Sequence, residues 1–339
     1  MKIVVLAGGI STERDVSLSS GGMIYRALKK NGHQAVLLDV YLGYEGEAEE
    51  IFERETDWAS HVKEVGEENP DLDAVRALRG AGEKGFFGPQ VLDICRRADC
   101  VFLALHGANG EDGRIQACFD LLGIPYTGAD FVGSCLAMDK GISKDIFQAY
   151  DIPTPRGIRL KKGGTESAMV PYPCVVKASC GGSSVGVSIA HNQEEYIAAK
   201  ADAFQYGDEV IVEQYIKGRE FSVGVLAGRA LPVIEMAPRE VFYDYKSKYQ
   251  AGSAVETCPA DLPPEKSREM QEIAVRVFAA LRLKSYARMD FVMSGGGEIF
   301  CLEANTLPGM TATSLLPQEA AADGMDFGQL CERILHMAV

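Results

Sequence analysis

The stretch Lys2-Ile3-Val4-Val5-Leu6 is apolar at every residue after the first and ends at Gly8-Gly9. A strand with one face in water alternates apolar and polar side chains. One without alternation is covered on both faces, the habit of parallel sheets flanked by helices. The two glycines turn this strand into a loop, and a helix follows from about Val16 to Asn31. Gly32 stops that helix, and Ala35 to Asp39 reads as a second strand. The chain therefore begins with a βαβ unit of an open α/β sheet. At 339 residues it has room for two or three domains.

Further along, Glu45 to Asp73 is crowded with carboxylates and opposed only by a few basic residues such as Arg54 and Lys63. It reads as a solvated, partly helical insertion. Cys100 to Leu105 is another strand, running into the loop HGANGEDGRIQ, and a short strand is expected around Pro125-Tyr126-Thr127. From about Gly128 the texture changes. A helix carrying Met138-Asp139-Lys140 leads through IPTPRGIRL into a strand, and PCVVKAS and VSIA form a hairpin around CGGSSVGV. Glu194 to Ala203 is predicted helical and EVIVEQYI extended. Beyond Lys217 the chain is β-rich through EFSVGVL and ALPVIEM, then polar and irregular through YDYKSKYQAGSAVETCPA. An amphipathic helix spans Ser267 to Leu281, and a last hairpin joins SYARMDFVM to EIFCLEAN. These textures place domains at 1–128, 129–217 and 218–339.

The formal net charge of −14 disfavours binding to nucleic acid or to an anionic membrane. A polyanionic nucleotide must then be met by a few placed lysines and metal ions. The nine cysteines are scattered without metal-binding spacing, which points to reduced thiols and a cytoplasmic protein. The N-terminus lacks the pattern of a signal peptide, and no apolar run reaches the roughly 20 residues that span a bilayer. No membrane insertion is expected.

The final hairpin carries the sharpest chemical expectation. Residues two apart on a strand share a face, so Arg288 goes with Asp290 and Glu303 with Asn305. A turn centred on Gly295-Gly296 pairs residues whose numbers sum to an odd value. That brings Arg288 near Glu303 and points all four polar side chains the same way; a slip of one residue would separate the two pairs. Asp290, Glu303 and Asn305 then offer three oxygen ligands suited to Mg²⁺ alongside phosphate. The loop CGGSSVGV can present backbone N–H groups to phosphate oxygens, although it is not a P-loop. Lys140, Lys177 and Lys248 could supply charge to phosphates, though any one alone reads as a solvated lysine. LAGGISTERDVS lacks the full G-x-G-x-x-G spacing, which counts against a nicotinamide enzyme. His106 lies at a strand end, where open α/β sheets meet ligands, or it is a hydrogen-bonded structural histidine.

These residues resemble the D-alanine–D-alanine ligase family, of the ATP-grasp fold. The resemblance runs over essentially the whole chain, through ERDVSLSSG, HGANGEDGRIQA, MDK, KASCGGSSVG, REFSVGVL, FYDYKSKY, ARMDFVM and LEANTLPGMTATSL. Ala178, Met289 and Cys301 are minor departures. It implies an α/β chain in which an N-terminal open parallel domain precedes two α+β domains that sandwich ATP. Lys140, Lys177 and Lys248 would hold ATP phosphates under the Gly181-to-Gly186 loop, Gly182 and Ser184 included. Glu213, Gln214, Tyr215 and Ile216 would meet adenine, and Glu220 the ribose. Asp290, Glu303 and Asn305 would bind two Mg²⁺, or Mn²⁺ in their place, with Glu303 bridging. Glu13 would hold the ammonium of the first D-alanine, with His106 nearby. Ser314 and the Leu315 backbone would hold the carboxylate of the second. Arg288 and the Gly309 backbone would form an oxyanion site, and Ser183, Tyr249 and Glu220 would link a lid at Tyr243 to Pro259 to the active site. The implied reaction joins two D-alanines through an acyl phosphate for peptidoglycan synthesis, in a cytoplasmic homodimer. A D-serine or D-lactate ligase is the neighbouring alternative.

Overall fold

The computed structural model describes residues 1–62, 65–66, 70–79, 85–164, 168–181, 186–238 and 254–339. Gly182, Ser183, Ser184, Lys248 and Tyr249 lie outside them, as does most of the expected lid.

Strand β1 (Lys2–Ala7) is the centre of a parallel sheet, with β2 (Gln34–Asp39) on one side and β3 (Cys100–Leu103) on the other. Ile3 to Ala7 are fully buried, as an apolar run without alternation requires. Helix α1 (Arg14–Lys30) crosses from β1 to β2, with Ile24, Tyr25 and Leu28 in the core. The expected strand near Tyr126 is a single parallel bridge to Val101. The acidic insertion departs from expectation. Ala48, Ile51 and Phe52 of a 3-10 helix (Ala48–Glu53) are buried with Ala59 in the same core as β1. Three apolar residues of this short helix suffice to dock it, while its carboxylates Glu49, Glu50 and Glu53 stay exposed. Helices α2 (Leu72–Leu78), α3 (Val91–Arg97) and α4 (Arg114–Leu122) complete this part.

The helix expected around Met138-Asp139-Lys140 is two helices, α5 (Phe131–Met138) and α6 (Lys140–Ala149). Asp139 is extended and caps α6 by accepting from the Ile142 N–H at 3.0 Å, so it ends one helix while starting the next. A four-stranded antiparallel sheet follows in the order β4 (Gly157–Lys161), β7 (Glu209–Gln214), β5 (Cys174–Ala178), β6 (Val187–Ala190), covered by α7 (Gln193–Ala203).

The last sheet runs β11 (Ala254–Thr257), β10 (Ile234–Pro238), β8 (Gly218–Leu226), β12 (Tyr286–Ser294), β13 (Ile299–Asn305), with the short β9 (Arg229–Ala230) also on β8. Residues 254–257, expected to be irregular, extend this sheet through backbone pairing with β10. Odd-numbered Phe221, Val223, Val225, Ala287, Met289 and Phe291 pack with Met270, Ile273, Ala274 and Val277 of α8 (Pro264–Ala280). The even-numbered positions of β8 and β12 face away from α8: Glu220, Arg288, Asp290 and Val292 line a cleft, while Leu226 and Tyr286 join the core built around β1. Helices α9 (Leu315–Ala322) and α10 (Phe327–His336) end the chain.

Candidate active site

The two-residue period of β12 puts Arg288, Asp290 and Val292 on the cleft face. On β13 strict alternation would put Glu303 and Asn305 with Ile299 and Cys301, in the core under α8. A bulge prevents this. Pairing runs Met293↔Ile299, Val292↔Phe300, Phe291↔Cys301, then jumps to Asp290↔Glu303 and Arg288↔Asn305, so Leu302 is the extra residue. Residues directly opposite in an antiparallel pair share a face, so Arg288, Asp290, Glu303 and Asn305 converge. The expected common face is right and the route to it is not. The turn begins in the even-sum register, and the bulge restores the odd one. Arg288 lies opposite Asn305 rather than Glu303.

Asp290 is the hub of this face. Its Oδ1 accepts from Arg288 Nε at 2.9 Å and Ser222 Oγ at 3.1 Å; its Oδ2 accepts from Arg288 Nη2 at 2.8 Å and Asn305 Nδ2 at 3.0 Å. Glu303 pairs with Lys140, whose Nζ is 3.2 Å from Oε2 and also donates to the Gly181 carbonyl at 2.7 Å. Burial opposes the Lys140 charge, but Glu303 outweighs it and holds its pKa above the ordinary lysine value.

The opposite wall is built on the small sheet. Glu213 is nearly inaccessible and bridges two lysines, Lys177 Nζ to Oε1 and Lys144 Nζ to Oε2, each at 2.6 Å. Lys144 further donates to Thr154 Oγ1 at 2.9 Å and the Pro155 carbonyl at 2.8 Å. Burial pushes the Glu213 carboxyl up, but the two ammonium groups prevail and its pKa is lowered. Burial, with Lys177 adding to it, lowers the pKa of Lys144 against the pull of Glu213. Gln214, Tyr215 and Ile216 continue this side of the cleft, and Glu220 lines it from β8 of the large sheet; β7 ends at Gln214, short of the expected Ile216.

The N-terminal part closes a third side. Glu13 sits at the start of α1, and His106 at the end of the segment after β3, with Ser20 Oγ 3.4 Å from its Nε2. Burial lowers the His106 pKa despite nearby Glu13, so the imidazole is neutral at neutral pH. Gly309 and Ser314 lie close together: a Cβ on Gly309 would stand 2.7 Å from Ser314 Oγ. Ser314 is the N-cap of α9 and its hydroxyl accepts from the Thr311 N–H at 2.9 Å; Leu315 opens that helix, where backbone N–H groups suit an anion.

Every candidate within the described residues lines this one cleft: Glu13, His106, Lys140, Lys177, Glu213 to Ile216, Glu220, Arg288, Asp290, Glu303, Asn305, Gly309, Ser314 and Leu315. The donor set fits a hard cation in part. Two carboxylates and an amide oxygen share a face, as Mg²⁺ with phosphate co-ligands requires. Among the described residues no group of three His, Cys, Asp or Glu could hold a metal alone. A cation held here would need phosphate oxygens to complete its shell.

Comparison with known proteins gives the same direction. Models of the "D-ala D-ala ligase" N-terminus and C-terminus match residues 2–129 and 146–336. The chain belongs to the D-alanine–D-alanine ligase family. It is 43% identical to a D-alanine–D-alanine ligase of Pediococcus pentosaceus over 99% of this chain and 97% of that one. A Lacticaseibacillus casei relative of the same name is 44% identical over 99% and 95%. Among solved structures, a Bacillus anthracis D-alanine–D-alanine ligase complexed with ATP superposes with a TM-score of 0.76 at 29% identity, over 100% of this chain and 97% of that one. A D-Ala:D-Ser ligase of Enterococcus faecalis gives 0.77 at 29%, over 100% and 99%. The ATP-grasp architecture expected from the motifs is thus the fold of this chain.

Sequence reasoning passed over three charged residues at or near the site, Lys144 and Glu319 buried and Glu111 partly so. Glu111 accepts from the Gly107 N–H at 2.8 Å and the Leu307 N–H at 3.2 Å, joining the His106 loop to the segment after β13. Burial, reinforced by Glu13, raises its pKa to about 8. A glutamate inside HGANGEDG was the available signal. Lys144 and Glu319 left none, since their partners are remote in sequence.

Proposed function

We propose that the chain catalyses the ATP-dependent, ADP-forming ligation of two D-alanines to D-alanyl-D-alanine, the dipeptide used in peptidoglycan precursors. The observation that carries this reading is the single cleft in which a lysine-bearing wall faces a carboxylate-and-arginine wall. Such a site can hold a polyphosphate and activate a carboxyl group beside it.

A carboxylate is a poor electrophile, so the first step transfers the γ-phosphoryl group of ATP to the carboxylate of the first D-alanine. Lys140 and Lys177 lie where they can neutralise the transferring group, which needs positioning and charge more than covalent help. Asp290, Glu303 and Asn305 would hold two Mg²⁺, which supply further charge stabilisation at the phosphates. Gln214, Tyr215 and Ile216 edge the cleft where adenine would lie, with Glu213 behind them and Glu220 placed for the ribose. Glu13 offers its carboxylate to the ammonium of the first D-alanine, beside neutral His106. Ser314 and the Leu315 N–H receive the carboxylate of the second. Its amine attacks the acyl phosphate carbonyl, the oxyanion takes hydrogen bonds from Arg288 and the Gly309 N–H, and phosphate leaves. Glu111 ties the His106 loop to the segment bearing Gly309, so first-substrate and oxyanion groups move together. Excluding water from the acyl phosphate would fall to the part of the expected lid that precedes β11, residues 243–253, with Ser183 and Tyr249.

The deciding experiment measures phosphate release from ATP with and without D-alanine. Stimulation by D-alanine with formation of dipeptide supports the reading, and D-alanine-independent hydrolysis alone overturns it. The D-Ala:D-Ser neighbour motivates one second reading, a different nucleophile, and equal supplies of D-alanine, D-serine and D-lactate distinguish the products. Among the described residues no helix is long and apolar enough to cross a membrane. Its scattered free cysteines suit a reducing cytoplasm. Homodimerisation is the family expectation, and sedimentation tests it.

A further inference from the structure

We propose that Glu319 is a positioning residue for Arg288, taking the guanidinium when a cation claims Asp290. The inference deepens the ligase reading and rests on it. It begins with the crowding of Asp290. A carboxylate offers about four lone-pair sites, and four donors occupy them: Arg288 twice, Ser222 and Asn305. A cation bound at Asp290 must displace some of these donors. Arg288, itself cationic, is the one that electrostatic repulsion removes first. Its charge then needs another carboxylate that leaves it on the same face of the sheet.

Glu319 stands where such a partner is required. It projects from α9 and is completely buried. Its Oε2 accepts from the Gly224 N–H at 2.7 Å; its Oε1 takes no hydrogen bond of good geometry, while the Ser222 hydroxyl and the Arg288 guanidinium both lie near enough to favour its charged form. Gly224 pairs directly with Arg288 across β8 and β12, so the two share a face. The missing Cβ of Gly224 makes room for that carboxyl group, because a methyl group there would overlap Glu319 Oε2. The carboxyl therefore lies over the strand position beside Arg288, on the same face as Asp290. A fully buried carboxyl group with an oxygen short of a well-aligned donor is costly to keep, and a second state in which the neighbouring guanidinium uses it accounts for it. Glu111 is the rival carboxylate, but both its oxygens already accept backbone N–H bonds. The same contact would tie α9, which begins at Ser314, to the arginine that meets the oxyanion.

The test combines Glu319→Gln and Arg288→Met in a double-mutant cycle. Glutamine keeps the acceptor for Gly224 and loses the charge. Glu319→Gln should lower kcat about tenfold while the KM for ATP moves less than about twofold. In the Arg288→Met background it should lower kcat by less than about twofold, because its target is gone. Equal losses in both backgrounds overturn the role of Glu319 and leave the ligase reading standing. Near-normal turnover of Arg288→Met instead defeats the assignment of Arg288 itself. A crystal structure of the wild-type protein with ADP and Mg²⁺ gives a reading that needs no variant. Arg288 within hydrogen-bond distance of Glu319 Oε1 supports the proposal. Arg288 still bidentate on Asp290, or transferred to Glu111, overturns it.

Discussion

The two sheets that face each other across the cleft solve the problem of buried charge in opposite ways. On the small sheet one carboxylate, Glu213, is held between two lysines, so the wall has a net positive charge and its glutamate is kept ionised. On the large sheet Asp290 holds Arg288 and Glu303 a borrowed Lys140, while Glu319 of α9 lies against the same face and burial raises its pKa to about 8. The first wall can meet a polyphosphate as it stands. The second, an acidic surface, can do so only after cations arrive. Under the proposed function the difference implies a division of labour: the lysines would bind nucleotide, while the carboxylates would recruit the metal that lets the reacting phosphoryl group approach them.

The comparison breaks most severely at Glu303, the carboxylate that touches both walls through Lys140. Glu303→Gln removes a cation ligand and the Lys140 partner together, and should lower turnover about 10³-fold or more, since metal charge stabilisation is worth several kcal/mol. Initial rates across a Mg²⁺ series check it, with an unchanged unfolding transition showing that the fold persists. Near-normal turnover at ordinary Mg²⁺ would remove Glu303 from the metal face. Next comes Arg288→Met, expected to lower kcat about 10²–10³-fold, the scale for one lost oxyanion donor. An effect confined to the KM for ATP would move Arg288 into nucleotide binding.

How far the sequence discloses these walls depends on the range of the contacts. The face shared by Arg288 and Asp290 follows from a period of two, as does the burial of β1 from the lack of one. The bulge at Leu302 does not follow, because it arises where two strands with different demands meet: Ile299 and Cys301 must pack on α8 while Glu303 and Asn305 must not. Nor does the docking of Ala48, Ile51 and Phe52, three apolar residues inside a strongly acidic stretch whose overall polarity hides them. Asp139 reads locally as helix interior, yet its carboxylate caps the next helix and splits the segment in two. Lys144, 69 positions before Glu213, shows how a functional wall is assembled from contacts that no local pattern records.

The lysine wall gives a smaller, purely structural prediction. Lys144→Met leaves Glu213 paired with Lys177 but strips the Thr154 and Pro155 acceptors of their donor. The expected loss is about 1–3 kcal/mol, the scale for buried groups left unsatisfied, read as a lower denaturant midpoint. Turnover at saturating ATP should fall much less than in Glu303→Gln. If Lys144→Met lowers turnover as severely, Lys144 serves the reaction itself and the division between the walls needs redrawing.

The mildest test uses pH, because buried carboxyls in the two surroundings respond with opposite sign. Glu111 and Glu319 carry folded pKa values near 8, raised above the ordinary 4.5 first by burial. The native state therefore holds more protons than the unfolded state between those values. Stability from these groups is complete below about 4.5 and is lost as pH rises through about 8. Glu213 is shifted down, so its contribution is present above 4.5 and lost only as pH falls through its lowered value. His106, shifted below the ordinary 6.5, contributes the opposite sign, a weak gain of stability near pH 7 that fades as the unfolded imidazole also loses its proton. Between pH 7 and 8 most of the slope belongs to Glu111 and Glu319, and one such carboxyl contributes at most about 1.4 kcal/mol per pH unit. The buried thiols, raised above their ordinary value, add a smaller loss of the same sign toward pH 8. Equilibrium unfolding should show the wild-type protein losing stability over that unit. Glu111→Gln should flatten the slope, as should Glu319→Gln, whereas Glu213→Gln should lower stability at both pH values and leave the slope unchanged. A slope that persists undiminished in the Glu111→Gln, Glu319→Gln double variant would place the titrating group elsewhere and cancel the contrast between the two walls.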